Sequence, residues 1–186
     1  MNSMTEKQKQ LSKPLEAPEL DFRVQSINNG GYATVLAYKD ARVDMNRLNG
    51  VFGVGGWQRK HDVINGNLFC SVGIWNPDIG QWCWVQDVGV ESMSAKEKGQ
   101  ASDSFKRACF NLGIGVELYD YPAISIKLNS DEWEKGEGNK PNRATWKFNL
   151  KLWKWCVQHD DSGKVSFIAA KDQGEKVRFT FGELKR

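Results

Sequence analysis

The chain of 186 residues has few of the residues from which metal sites and disulfides are built. It contains two histidines, far apart at His61 and His159, and four cysteines without any C-x-x-C spacing. Zinc sites draw on closely spaced cysteine and histidine ligands, so the sequence does not favour a metal site. Because each cysteine lies in an apolar or aromatic segment, we expect four buried, reduced thiols.

Long apolar runs and a secretory leader are also missing from the sequence. No stretch approaches the roughly 18 residues that cross a membrane. The polar N-terminus, MNSMTEKQKQLSKP, lacks the apolar segment of a signal peptide. We therefore expect a cytoplasmic protein without membrane association. Hydrophobic residues make up 40% and charged residues 26% of the chain, as in soluble globular domains.

The net charge of +3 is too small to indicate a polyanion partner by itself. Residues 40–122 carry eight basic and ten acidic side chains, so this region is slightly acidic. A nucleic-acid site in this region must therefore be a local patch of cations on a surface that is otherwise not basic.

Three strand patterns follow one another over residues 58–64, 68–75 and 81–90. Asn65-Gly66 between the first two is a strong hairpin turn, and alternating apolar residues mark one face of each later strand. A helical pattern follows over residues 95–112. The sequence therefore predicts an α+β fold with a β-β-β-α core, in which a three-stranded antiparallel meander is packed by a helix.

The helix over 95–112 has clear start and stop residues. Ser94-Ala95-Lys96-Glu97 has the S-x-x-E form of a capping box, and Gly113 suits the C-terminal end. The spacing predicts a buried stripe that consists of Ala101, Phe105, Ala108, Cys109 and Leu112. Lys106 and Arg107 fall off this stripe and are expected to face outward, either as phosphate ligands or as an ordinary solvated helix face.

Further elements flank this core. Residues 20–27 and 32–38 read as strands, and Asp40 can cap a helix over 41–52, with Arg42 and Arg47 to either side of its inward stripe. Additional C-terminal strands are predicted over 145–157, 164–170 and 177–181. Lys147 and Lys151 on the first of these form a secondary basic strip, or they protect a sheet edge.

The composition divides the chain into three parts. Residues 1–18 are polar and contain prolines, so we expect a mobile arm that buries no apolar surface. Residues 19–122 form the predicted core. Residues 123–186 form a C-terminal extension with a β-rich segment, packed on the same domain.

Several segments resemble the Rad-fifty-two-like single-strand annealing proteins, especially their bacteriophage branch. KGQASDSFKRACFNLGIGVELYDYP is similar to the family signature K-G-x-x-S-D-x-x-K-R-A-x-x-x-x-G-I-G-x-x-L-Y. DFRVQS resembles the W-R-x-Q-S opening, with Phe22 in place of tryptophan. AYKDARVDMNRLNGVFGVGGW and the strand end Asp87-Val88-Gly89 also match in order.

The resemblance implies rings of identical subunits that hold single-stranded DNA in a groove and anneal complementary strands without ATP, metal or another cofactor. It places Lys106 and Arg107 at the family's paired contacts to the DNA backbone and Arg42 at the arginine that begins the preceding helix. Lys98, which opens the signature, and Arg47 are further candidates for DNA binding. A separate single-strand DNA-binding protein is a candidate partner, and a phage origin would place the protein in the host cytoplasm.

Two departures from the family pattern concern a second DNA site. Eukaryotic members have another arginine three residues after the arginine of the pair, where this chain has Phe110. Their turn between the second and third strands can carry a lysine, where this chain has Asn76-Pro77-Asp78. We therefore do not expect an outer site built from the family's residues.

Three functions remain from the sequence. The first is annealing in homologous recombination or double-strand break repair, which needs phosphate neutralisation but no catalytic acid or base. The second is passive binding of single strands, with the tryptophans of the meander as stacking surfaces. The third is a nuclease, for which Glu183 in an E-x-K pattern and Asp87 with Glu91 are the available carboxylates. We expect no enzyme.

Overall fold

The computed structural model describes residues 3–90 and 96–183, and the side chains of 3–90 and 99–183. The helices are α1 (Met4–Leu11), α2 (Ala41–Phe52) and α3 (Lys96–Phe110). The strands are β1 (Asp21–Ile27), β2 (Tyr32–Tyr38), β3 (Trp57–Ile64), β4 (Asn67–Asn76), β5 (Gln81–Val88), β6 (Ile124–Lys127), β7 (Trp133–Glu134), β8 (Arg143–Ala144), β9 (Lys154–His159), β10 (Val165–Lys171) and β11 (Val177–Gly182). The α+β fold class with additional C-terminal strands is confirmed.

The chain divides into two compact units. The first comprises residues 1–14 and 40–116, and the second comprises residues 15–39 and 117–186. These limits differ from the boundaries after residues 18 and 122 that the composition indicated. That residues 1–18 form a mobile arm and that residues 123–186 pack on the same domain as residues 19–122 stay predictions.

The first unit contains the β-β-β-α arrangement that the sequence predicted. Strands β3, β4 and β5 form an antiparallel sheet in that order, and the Asn65-Gly66 turn joins the first two strands. Helix α3 packs on the face of β4 that carries Cys70, Val72 and Ile74. Both the meander and the helix that covers it are therefore confirmed.

The second unit contains two three-stranded antiparallel sheets, with strand orders β1-β2-β6 and β11-β10-β9, and the short β7-β8 hairpin. A buried ion pair lies in this unit, where the Arg178 guanidinium donates to both carboxylate oxygens of Glu132 at 2.9 and 2.7 Å. Arg178 also donates to Asp172 at 3.2 Å and to the Lys127 carbonyl at 3.0 Å. Such a network satisfies charges that would otherwise be costly to bury.

The expectation that residues 1–18 bury no apolar surface is wrong. Residues 4–11 form α1, and Leu11 and Leu15 are fully buried. Ser3 caps the helix: its hydroxyl accepts from the Glu6 amide at 3.2 Å, and its own amide donates to the Glu6 carboxylate at 3.0 Å. The segment therefore begins with the same S-x-x-E capping-box pattern that predicted the start of α3.

The predicted strand over residues 145–157 is also wrong in its first half. Leu150–Leu152 form a 3-10 turn, in which the Asn149 side chain accepts from the Lys151 amide at 3.2 Å, and β9 begins only at Lys154. The alternating apolar residues therefore do not share one face. Trp146 is 85% exposed and Leu152 is 55% exposed, whereas Phe148 and Leu150 are buried.

The four cysteines, all within the described residues, form no disulfide, but only Cys70 and Cys109 are buried. Cys83 and Cys156 are exposed, and they lie on β5 and β9, which are edge strands of their sheets. The expectation of four buried thiols is thus wrong for two of them. Burial raises the pKa of Cys70 to about 11, which keeps this thiol protonated and unreactive.

No helix within residues 3–90 and 96–183 is long and apolar enough to cross a membrane.

Candidate nucleic-acid interface

Helix α3 is anchored by the stripe that the sequence predicted. Phe105, Ala108 and Cys109 are fully buried in the cluster that also holds the inward side chains of β4. The helix ends at Phe110, two residues earlier than predicted, and its predicted start at Ser94 lies outside the described residues. This packing fixes the rotation of the helix and hence the direction of the side chains between the buried positions.

Arg107 does not extend freely into solvent as the helical wheel predicted. Its Nε atom donates to Oδ1 of Asp87 on β5 at 3.2 Å, and 39% of its side chain is exposed. The same Asp87 oxygen accepts from the Val88 amide at 2.7 Å. Arg107 is therefore a partly exposed guanidinium that is held from one side by the neighbouring strand.

Lys106 and Arg42 share the electrostatic surroundings of one carboxylate, that of Asp40. Asp40 caps α2 by accepting from the Arg42 amide at 2.8 Å, and it also accepts from the Arg42 Nε at 2.9 Å. The hydrogen bonds from Arg42, first from its side chain and then from its amide, lower the pKa of Asp40, and the charge of Lys106 adds to the lowering. The charge of Lys106 on α3 thus acts on the carboxylate that caps α2, and the two helices pack against each other.

This surface, which we name the α2–α3 cation patch, consists of Arg42, Lys106, Arg107, Asp40 and Asp87. Three cations and two carboxylates leave a net charge of one positive. Within residues 3–90 and 99–183, the Lys106 ammonium has no ion-pair partner within 4 Å, whereas both arginines have a carboxylate partner. The patch can bind anions through charge-assisted hydrogen bonds.

Arg47, another candidate from the sequence, lies in a different environment. Its guanidinium donates to the Leu11 carbonyl at 3.1 Å, to the Pro14 carbonyl at 3.0 Å and to the Lys13 carbonyl. These carbonyls lie at the last residue of α1 and in the segment that follows it, where helix carbonyls lack intrahelical partners. The contacts assign Arg47 a structural role in tying α1 to α2. Whether it also contacts DNA is a prediction that nothing in its geometry favours.

Three candidates from the sequence remain, Lys98, Lys147 and Lys151. Lys98 lies in the first turn of α3, and its side chain lies outside the described residues. Lys147 and Lys151 belong to the second unit. The Lys147 ammonium pairs with Asp131 at 2.9 Å, and Lys151 is exposed in the 3-10 turn. Because the predicted strand does not form over residues 147–151, Lys147 and Lys151 do not form a basic strip along a strand.

Sequence reasoning missed the carboxylates that accompany the cations. Asp87 lies 20 residues before Arg107, and pairing them requires the register of β5 against α3, which periodicity alone does not provide. Asp40 was assigned as a helix cap, but its contact with the Arg42 side chain was not considered. A cation two residues after an N-cap carboxylate was a local pattern that could have indicated this contact.

Comparison with known proteins agrees with the motifs at this surface. A family model described as Rad52/22 family double-strand break repair protein matches residues 3–137. The chain belongs to the Rad52/22 family. The match includes all five residues of the cation patch, as well as α1 and the β-β-β-α arrangement. The bacteriophage branch that the sequence suggested is a finer assignment and is taken up below.

A bacterial relative with a described activity is also similar to the chain. The single-stranded DNA-binding protein DdrA of Deinococcus radiodurans is 28% identical over 151 residues, which cover 77% of this chain and 68% of DdrA. The chain is thus similar, over most of its length, to a protein that is named for binding single-stranded DNA.

Proposed function

We propose that this Rad52/22 family protein binds single-stranded DNA and anneals complementary strands during homologous recombination or double-strand break repair. The observation that carries the proposal is the α2–α3 cation patch, in which Lys106 and Arg107 are adjacent on α3 and the charge of Lys106 acts on Asp40 beside Arg42, in a family described by double-strand break repair. The name of the relative DdrA supports single-stranded DNA as the ligand.

The proposed mechanism requires no acid, base, nucleotide or metal. Cations on a rigid helix neutralise the phosphates of one strand, which supplies sequence-independent affinity. A strand that is held by its backbone keeps its bases available for pairing. The complementary strand then supplies all of the specificity through base pairs, and the protein is in this proposal not an enzyme.

A single patch with one excess positive charge holds a strand weakly. We therefore include in the proposal a ring of identical subunits, since repeated patches along one strand multiply a weak contact. A bacteriophage origin, a cytoplasmic location and a partner that binds single-stranded DNA are further parts of the proposal. They rest on the sequence resemblance alone.

Passive binding of single strands is the second candidate function, and one observation favours it. The indole of Trp84 lies flat over Gly73 on the sheet face that points away from α3, and 44% of it is exposed. The Lys60 ammonium lies 5.5 Å from the centre of this ring. Bases stack on such rings in proteins that bind single strands without pairing them.

The two candidates differ in the rate at which complementary strands pair. Two complementary oligonucleotides, one with a fluorophore and one with a quencher, are mixed with and without the protein in EDTA and without nucleotide. Annealing predicts faster quenching with protein than without it. Passive binding predicts that quenching is slower or unchanged although each strand is bound, and this result would refute the annealing proposal.

A further inference from the structure

The contact between Asp87 and Arg107 has a defined geometry. Asp87 accepts from the Nε atom, which lies on the inner side of the guanidinium. Within residues 3–90 and 99–183, the two terminal Nη atoms of Arg107 have no hydrogen-bond partner. The two Nη atoms carry four of the five N–H donors of an arginine, so the side that can grip a phosphate is unused.

The carboxylate that holds Arg107 is itself held in place. Oδ1 of Asp87 accepts from the Val88 amide at 2.7 Å. The side-chain nitrogen of Asn111 lies 3.5 Å from Oδ2 and donates to the Gln86 carbonyl at 3.3 Å. Asp87 is 24% exposed, so most of its side chain is enclosed. The strand end and the residue one turn beyond Arg107 thus fix the acceptor.

We propose that Asp87 is a positioning residue that orients Arg107 for a phosphate of bound single-stranded DNA. An arginine that is already held through Nε loses less side-chain freedom when its Nη atoms bind a phosphate. This inference rests on the proposed function, because it assumes that single-stranded DNA binds at the cation patch.

Simple electrostatics leads to the opposite expectation. A carboxylate beside a phosphate site repels the DNA and competes for the guanidinium, so its removal would tighten binding. Positioning predicts that removal of Asp87 weakens binding even though the patch becomes more positive. The sign of the effect therefore separates the two roles.

The test measures the dissociation constant of fluorescent oligothymidine by anisotropy at several salt concentrations. The variants are Asp87→Ala, Asp87→Asn, Arg107→Ala and the double variant of Asp87→Ala with Arg107→Ala. Asp78→Ala is the control, since Asp78 lies in the turn before β5 and its loss changes the charge of the first unit equally. Thermal unfolding of each variant checks the fold.

We expect Asp87→Ala to raise the dissociation constant about twofold to fourfold, because ordering one long side chain on binding costs at least this much and the loss stays below that of removing Arg107. The salt dependence stays as steep as in the unaltered protein, because the number of phosphate contacts is unchanged. Asp87→Asn, which has the same charge as Asp87→Ala but still accepts from Nε, binds more tightly than Asp87→Ala. In the Arg107→Ala background, loss of Asp87 does not weaken binding.

Several outcomes would overturn the inference. If Asp87→Ala and Asp87→Asn both bind as tightly as Asp78→Ala, or more tightly, while Arg107→Ala weakens binding, Asp87 does not position Arg107 and the proposed function stands. If the unaltered protein does not bind oligothymidine, the proposed function fails and the inference fails with it. Should Asp87→Ala not fold, Asp87→Leu, which has a similar shape but no acceptor for Nε, is compared with and without Arg107 and gives the same decision.

Discussion

Removal of the adjacent cations of α3 should change both the affinity for single-stranded DNA and its dependence on salt. The variants are Lys106→Ala, Arg107→Ala and the double variant. Each removes one contact to a phosphate, and one such contact on a single strand contributes about 0.7 to the slope of log affinity against log salt. We expect each single variant to reduce the slope by about 0.7 per bound subunit and the double variant by about 1.4.

The structure also sets the size of the loss in affinity. Charge-assisted hydrogen bonds contribute about 1.5–3 kcal/mol when they are well formed, but the charge of Arg107 is partly offset by Asp87, and both side chains are only partly buried. We therefore expect about 1 kcal/mol for each cation at low salt, which is about a fivefold rise in the dissociation constant. The loss should be similar for oligothymidine and for mixed sequences, because phosphate contacts do not read bases.

The assay is fluorescence anisotropy over a series of salt concentrations, with the number of bound subunits taken from the mass of the complex in solution. Lys9→Ala is the matched control, since Lys9 is an exposed cation of α1 and its loss changes the net charge equally. If Lys106→Ala and Arg107→Ala bind with the slope and affinity of Lys9→Ala, the pair is an ordinary solvated helix face and the reasoning is refuted.

Two further predictions concern stability. Arg47→Ala should destabilise the protein by about 1–3 kcal/mol, because it leaves carbonyls after α1 without their donor. Urea unfolding measures this change, and a loss below about 0.5 kcal/mol, the usual size for surface substitutions, would contradict the structural role of Arg47. Burial raises the pKa of Glu132, but the hydrogen bonds from Arg178 and Asn129 and the charge of Arg178 outweigh it, so the pKa is lowered below the ordinary 4.5. The ion pair of Glu132 with Arg178 therefore stabilises the fold above about pH 4.5, and this contribution is lost as the pH falls through the lowered pKa. As the pH is lowered, the urea midpoint of Glu132→Gln should fall less than that of the unaltered protein. Equal falls in the two proteins would contradict the assignment.

The sequence predicted those parts of the fold whose cause is local. The bounds of α2 follow from the Asp40 cap and from the glycine at its end, and the meander follows from the Asn65-Gly66 turn. In contrast, alternation over residues 145–157 did not reveal that Asn149 would cap a turn. The capping box at Ser3 was present in the sequence but was outweighed by the polar composition around it.

The candidate site was predicted in part, for a similar reason. Periodicity placed Lys106 and Arg107 off the buried stripe of α3, but it gave no information about side chains that approach from other elements. Asp87 reaches Arg107 from β5, and Arg47 reaches carbonyls some 35 residues earlier in the chain. Contacts over such separations depend on how strands and helices pack, which a single sequence does not specify.

The most direct measurement is an experimental structure of the protein bound to a short oligothymidine. The account predicts phosphate oxygens within about 3 Å of the Lys106 ammonium and of the Nη atoms of Arg107, with Asp87 still bound to Nε. A strand that lies on the tryptophans of the sheet face, or elsewhere without contact to either cation, would contradict it.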